Sequence, residues 1–373
     1  MQPTPAPPFR ADHVGSLLRP QRLREARLRF RRGACTADEL RAVEDEAIRE
    51  AVRMQESIGL RAITDGEFRR TFFHVDFLER LGGVEVSEGG FTATFRKDDG
   101  SEVGFKPPTM HVTARLTHEQ PIQGSDFDFL KGVTGRTAKV CIPSPSMLHF
   151  RGGRKAINQE VYPDLEQFYA DLAAAYRDEI QDLATRGCRY LQLDDTNLAY
   201  LCDDEIRAAT RARGDDPDEL PRTYCRLINE AIRDRPADMA VATHLCRGNF
   251  KSAWVAQGGY EPVAEILFNE LAIDGFFLEY DDARSGDFRP LRFLPPGKTV
   301  VLGLVTTKRA ELEGRDELRR RIDEAARHAP LEQLALSPQC GFSSTEHGNE
   351  LTEDDQWRKL ARVVEVAREV WPE

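Results

Sequence analysis

The 373-residue sequence predicts a (β/α)8 barrel with a β-hairpin insertion after strand 2, and three observations carry that expectation. Short apolar runs alternate with helix-period segments about eight times, the pattern of a parallel sheet wrapped in helices. Most of the apolar runs end in residues able to do chemistry, as a barrel requires at the C-terminal rim of its strands. One segment, 84–116, breaks the alternation with short β-type runs between turns, and reads as the inserted hairpin. A single barrel domain over 1–373 is expected, with a flexible N-terminus at 1–8.

The runs follow in order. Ala11–Ser16 ends in Gly15-Ser16. A helical pattern over 38–57 precedes Leu60–Asp65, which leads into Asp65-Gly66-Glu67. The hairpin, with turns at Gly89-Gly90 and Asp98-Asp99-Gly100, is expected to lie over the barrel mouth. Ala138–Pro143 closes in Pro143-Ser144-Pro145-Ser146. A helix over 165–186 leads to Cys188–Asp194, and one over 217–232 leads to Met239–His244. Gly275–Glu279 follows a helix over 263–271, and Thr299–Gly303 follows it directly. Gln333–Ser337 comes after a helix over 315–328, and a last helix from Trp357 to Val370 covers it.

Composition narrows the function. Forty per cent hydrophobic and 31% charged residues describe a soluble globular chain with a large core. A net charge of −11 argues against a nucleic-acid partner, and the Arg-rich run from Arg19 to Arg32 reads as a solvated helix face. The first nine residues lack the basic and apolar regions of a signal peptide, and no apolar run could cross a bilayer, so no membrane role and a cytoplasmic location are expected. Seven scattered cysteines do not form a disulfide framework. Cys141 and Cys188 sit inside apolar runs as core residues, and Cys35, Cys202 and Cys225 lie in no motif.

Cys246 and Cys340 are different, since each follows a strand and precedes glycine within two residues. In Val241-Ala-Thr-His-Leu-Cys246, the imidazole and the thiol are two positions apart and so share one side of an extended chain. Glu279 and Cys340 end two later runs. Taken singly, these are more readily a buried histidine and core thiols. Together, His244, Cys246, Glu279 and Cys340 are a donor set for zinc, softer than magnesium or calcium takes. The wide spacing and absence of a C-x-x-C pair point to a catalytic site with an open position. Three anionic ligands make a poor Lewis acid but suit the holding of a substrate thiol as thiolate, with metal-bound hydroxide for hydrolysis as the competing reading. Glu67 and Asp194 read either as helix caps or as a carboxylate pair gripping a substrate ammonium. Gly15 and Ser16 would meet a carboxylate. A pocket for sulfur, ammonium and carboxylate fits a thiol amino acid such as homocysteine.

The runs His244-Leu-Cys246, Phe277-Leu-Glu279, Pro338-Gln-Cys-Gly341, Leu193-Asp194, Asp65-Gly-Glu67 and Val14-Gly-Ser16 resemble the catalytic half of cobalamin-independent methionine synthase. The likeness extends from about Phe9 to Trp371. Gly82-Gly83, Ile142-Pro-Ser-Pro-Ser-Met-Leu-His149 and Glu279-Tyr-Asp-Asp-Ala-Arg-Ser-Gly286 resemble its short, single-barrel branch. The resemblance implies a barrel, zinc on His244, Cys246, Glu279 and Cys340, and methylation of homocysteine to methionine. It also implies the substrate amine on Glu67 and Asp194 and its carboxylate at Ser16. The methyl donor would be a methylated folate, a methylcorrinoid protein or another methyl carrier.

Two features depart from the family. Its proton-donating histidine after the seventh strand is replaced by Leu302-Gly-Leu-Val-Thr-Thr-Lys308, and the tryptophan of its third-strand loop by His149-Phe150. A methylfolate leaving group needs a proton, for which His74, His149 and Lys308 are the candidates. His13 and His347 also fall near mouth loops, where a lone histidine is more often structural. The rival readings are a transferase that opens epoxides with a different thiol, and a non-catalytic barrel that binds methionine or homocysteine.

Overall fold

The computed structural model describes residues 6–89, 93–97 and 99–372, so residues 1–5 of the expected flexible terminus and the hairpin positions 90 and 98 lie outside it. In chain order the strands are β1 (Ala62–Ile63), β2 (Gly82–Ser87), β3 (Ala93–Arg96), β4 (Glu102–Phe105), β5 (Thr109–Thr117) and β6 (Thr137–Ala138). They continue as β7 (Val140–Pro143), β8 (Tyr190–Asp195), β9 (Ala240–Leu245), β10 (Gly275–Glu279), β11 (Thr299–Val305) and β12 (Leu334–Pro338). Strands β7 to β12 form one parallel sheet in sequence order. Strand β6 pairs with β1, and the intervening Lys139 N–H donates to the Ile63 carbonyl, which carries the ladder to the edge of β7. The connections bear helices, as the alternation predicts for a (β/α)8 fold.

The eighth stave is not the regular strand expected over Ala11–Ser16. Residues 10–17 bridge the two edges by individual bonds. The Asp12 N–H donates to Leu336 O at 3.1 Å on one side, and Leu17 N–H to Gly66 O at 3.0 Å on the other. Local chemistry explains the irregularity. The Asp12 carboxylate accepts the N–H groups of Phe9 and His13, competing with a ladder. Gly15 sits at φ 126°, and a Cβ there would stand 2.6 Å from Cys141 Sγ.

Helix ends follow their caps. Ala37–Ile58 opens on a Thr36–Glu39 capping box and stops at Gly59, whose φ is 100°. Leu165–Thr185 is capped by Asp164. The final helix, Glu353–Val370, begins four residues before the expected Trp357, because a Thr352–Asp355 box organises an acidic first turn that carries no apolar periodicity. Among the described residues, no helix is long and apolar enough to cross a membrane.

The insertion comprises two antiparallel pairs, β2 with β5 and β3 with β4, after β1. Its inner pair is fastened across the mouth. Arg96 and Trp254 exchange backbone hydrogen bonds at 2.7 and 2.9 Å, and Phe105 stacks on Phe250 at 4.4 Å.

Inside the barrel, Phe9, Val14, Ala62, Tyr190, Ala242, Phe277, Val301 and Ala335 form an apolar floor. Side chains two residues apart share a strand face, so His244 lies one layer above Ala242 and Glu279 one layer above Phe277. Within the floor, Lys139 Nζ meets Asp12 Oδ1 at 3.1 Å with both side chains fully buried. The Tyr190 hydroxyl donates to the other Asp12 oxygen at 2.8 Å, and the ammonium lies 4.1 Å from the Phe277 ring centroid. Lys139→Met leaves that carboxylate uncompensated and should lower the unfolding free energy by about 3–5 kcal/mol. Urea denaturation measures the loss, and adding Asp12→Asn should restore part of it.

Candidate active site

The parallel register aligns the chemistry at the strand ends. Asp194 is paired with His244, and His244 with Phe277 on the opposite neighbour. Beyond β9 the chain turns, Cys246 N–H donating to Asp195 O at 3.2 Å, and brings the thiol beside that of Cys340. The two Sγ atoms are 3.3 Å apart. Donor atoms of His244, Cys246 and Cys340 all lie within 4.8 Å of one another, and all three residues are buried. Neither His244 ring nitrogen has a hydrogen-bond partner. The Cys340 thiol is held well below the ordinary thiol range, first by the hydrogen bond from Cys246, whose own thiol is pushed up by the same contact. Two clustered thiols and an imidazole whose ring nitrogens are both unpartnered, one of them able to donate a lone pair, fit a soft divalent ion such as zinc.

Glu279 does not join that trio. Its Oε2 accepts the Arg247 N–H at 2.9 Å, while Oε1 takes Arg284 Nη2 at 2.7 Å and Lys308 Nζ at 3.3 Å. Burial alone would raise its pKa, but Lys308, Arg284 and Arg247 outweigh it and draw the carboxyl down to about 2. Glu279 is therefore a fixed anion beside the thiols. Lys308 is also 4.0 Å from Asp281.

The loops that carry the trio are tied together. The Asn249 amide donates to Gly341 O at 2.7 Å, and Gly248 N–H to Cys246 Sγ at 3.3 Å. Arg19 reaches Ser343 O at 2.7 Å and Glu67 O at 2.8 Å, fastening the Cys340 loop to the turn after β1.

That turn holds Glu67 at φ 58°, a left-handed backbone rare for a residue with a side chain and typical of functional sites. Glu67 N–H donates to Asp65 Oδ1 at 2.8 Å, an Asx turn that stabilises the conformation. The side chain points inward, where Glu67, Cys141 and Asp194 place donor atoms within 4.8 Å of one another. Glu67 Oε2 is buried without a partner, and Asp194 Oδ1 accepts the Gln192 amide at 2.6 Å. Burial, first of all, raises Glu67 to about 8 and Asp194 to about 6. Such a pair, with an open acceptor, is built for a cationic donor.

Both groups open on one pocket. Ser16, Glu67, Asp194, His244, Cys246 and Cys340 line it, and Gly15 backs it against Cys141. Phe72, Phe95, Phe105 and Phe250 form an aromatic rim. The acid candidates fare unevenly. His74 lines the pocket, but burial and then Arg151 hold its pKa well below the usual imidazole value, so it is neutral. His149 is turned away from the pocket, bonded through Nδ1 to the Tyr224 hydroxyl at 2.8 Å and packed on Tyr169. His13 is buried in the floor against Ala62 O, and His347 packs on the rim phenylalanines. Sequence reasoning missed Arg151, Thr196 and Tyr200, which share the pocket wall with His74. The available signal was a cation just past the third strand, in His149-Phe-Arg-Gly-Gly153.

Comparisons with known proteins agree with this architecture. Residues 130–369 match the model of the cobalamin-independent synthase catalytic domain. The uncharacterized Bacillus subtilis protein YxjH is 47% identical over 98% of this chain and 95% of its own length. A crystal structure from Listeria monocytogenes, assigned as a vitamin-B12-independent methionine synthase, superposes with a TM-score of 0.79 at 41% identity, covering 99% of this chain and all of that one. A Thermotoga 5-methyltetrahydropteroyltriglutamate–homocysteine methyltransferase is 22% identical over 91% of this chain, which spans 42% of that enzyme. The chain thus belongs to the cobalamin-independent methionine synthase family, in its single-domain form, and is a methyltransferase.

Proposed function

We propose that this protein transfers a methyl group to the thiol of homocysteine, with zinc as its cofactor and a methylated folate or another methyl carrier as donor. The single observation that carries the reading is adjacency. In one pocket, a buried His-Cys-Cys trio faces two carboxyls, one of which has an oxygen without a partner.

His244, Cys246 and Cys340 would hold the metal, with Glu279 as the fourth ligand or as the anion against which the site is balanced. Zinc bound there would supply thiolate character to an incoming thiol at neutral pH. The protein's residues do the rest. Glu67 and Asp194 grip the ammonium, and Ser16 meets the carboxylate. The aromatic rim and the β3–β4 hairpin exclude water from the sulfur. Lys308 and Arg284 keep Glu279 ionised, so the local charge does not depend on pH near neutrality. A cytoplasmic setting, in which thiols stay reduced, suits the two cysteines.

Three outcomes test the reading. Metal analysis should find about one zinc per chain, lost in Cys246→Ser and in Cys340→Ser. Full zinc in both variants would overturn the ligand assignment. Glu67→Gln should weaken methionine binding by about 10–100-fold in calorimetry while leaving the zinc content unchanged. The pH dependence follows from the same carboxyl. An ammonium needs Glu67 ionised, and the free pocket keeps it protonated below about 8. Methionine affinity should therefore peak a little above pH 8, where Glu67 is ionised and the ligand amine still protonated, and fall toward about tenfold per pH unit below it. Glu67→Gln should flatten the part between pH 6 and 8.

A further inference from the structure

The geometry points to Arg151 as the recognition residue for an oxyanion, a carboxylate or phosphate, on the alkyl donor, at a subsite distinct from the one that takes the acceptor amino acid. This rests on the function proposed above and concerns the second substrate of the same pocket.

The other arginines near this pocket each hold short hydrogen bonds or a carboxylate, even where one of their nitrogens is left over. Arg247 bonds Gly258 O, Glu279 O and the Tyr260 hydroxyl, Arg284 pairs with Glu279, and Arg19 has four acceptors within 3.0 Å. Arg151 is the exception. Its guanidinium lines the pocket and makes one hydrogen bond, to Thr196 Oγ1 at 3.5 Å, the far limit for such a bond. Its Nε is buried without an acceptor, and among the described residues no carboxylate pairs with it. Beside it, His74 Nδ1 is a second buried nitrogen with no partner. Two unspent nitrogens, one of them on a permanent cation, face the same wall. Buried polar groups left unmatched by protein are matched by ligand.

Position separates this wall from the acceptor's. Arg151 stacks over Tyr200, with 5.8 Å to the ring centroid, and its charge acts on His74 and Tyr200. The charges that act most on Glu67 are instead those of Arg70 and Asp194, and on Asp194 those of His244 and Arg70. Tyr200 lies between, sensing both Arg151 and Cys246. Arg151 is half-buried where Glu67 and Asp194 are buried, so an oxyanion at Arg151 sits nearer the mouth than the ammonium grip, on the route by which a donor would enter. The planar guanidinium offers a carboxylate or phosphate two parallel N–H groups. The aromatic rim above it favours a donor with a flat apolar part.

Calorimetry on the zinc-loaded, full-length protein tests this with a matched pair, benzoate and its neutral isostere benzamide. Benzoate should bind about tenfold tighter than benzamide, and equally well in the presence of saturating methionine. Arg151→Gln should erase the preference and leave the methionine Kd within about twofold, and Arg151→Lys should keep part of the preference. Thermal melts of both variants verify the fold. Three results would overturn the assignment: no preference in the parent protein, a preference that survives Arg151→Gln, or mutual exclusion of benzoate and methionine with methionine weakened by Arg151→Gln. The last would assign Arg151 to the acceptor. If methionine fails to bind at all, the proposed function fails, yet the benzoate preference and its loss in Arg151→Gln remain readable.

Discussion

Register is the constraint on which the site depends. The parallel ladders β8–β9–β10 set Asp194 opposite His244 and His244 opposite Phe277, and alternate side chains then fill the floor or the pocket. A one-residue slip in any of these ladders would turn His244 or Asp194 out toward the helices. The apolar floor fixes the register, since Tyr190, Ala242, Phe277, Val301 and Ala335 must all point inward for the barrel to fill. The chemistry above is positioned by the packing below.

Electrostatics complete what register begins. The pocket concentrates groups of one sign, with two thiols, Glu279, Glu67 and Asp194 all buried. The protein answers them differently. Glu279 is neutralised from within by Lys308 and Arg284, while Glu67 and Asp194 are both raised, Glu67 far enough to hold its proton at neutral pH. A fixed charge accompanies the thiols and the imidazole, and a variable one sits in the carboxyl pair. Burial, with Oε2 unpartnered and Arg70 no closer than 3.8 Å to Oε1, makes Glu67 costly as an anion in the free protein, a penalty that a cation bound at Oε2 would offset.

Much of this was legible in the sequence. His244-Leu-Cys246 reads as two ligands on one strand face because period two is a property of extended chain, and Glu67 and Asp194 stand out as acids ending apolar runs. The hairpin insertion was visible from its turns. What stayed hidden depends on long-range packing. The stave at Ala11–Ser16 looked like a short strand ending in Gly15-Ser16, yet Asp12 and Gly15 make it an irregular bridge. Glu279 looked like an equal fourth ligand, but its cations come from positions 284 and 308, whose proximity no local pattern reports. His149 sits at the right place in the chain but is turned onto Tyr224. Arg151 passed unnoticed because its significance is a missing partner, which only coordinates reveal.

The hydrophobic floor has a kinetic corollary. Below Cys141 the barrel is sealed by interlocked rings around the Lys139–Asp12 pair, and above it the β3–β4 hairpin is strapped to Trp254. Phe95 and Phe105 of that hairpin line the pocket, so loosening the Arg96–Trp254 strap would widen the way in and speed exchange with solvent.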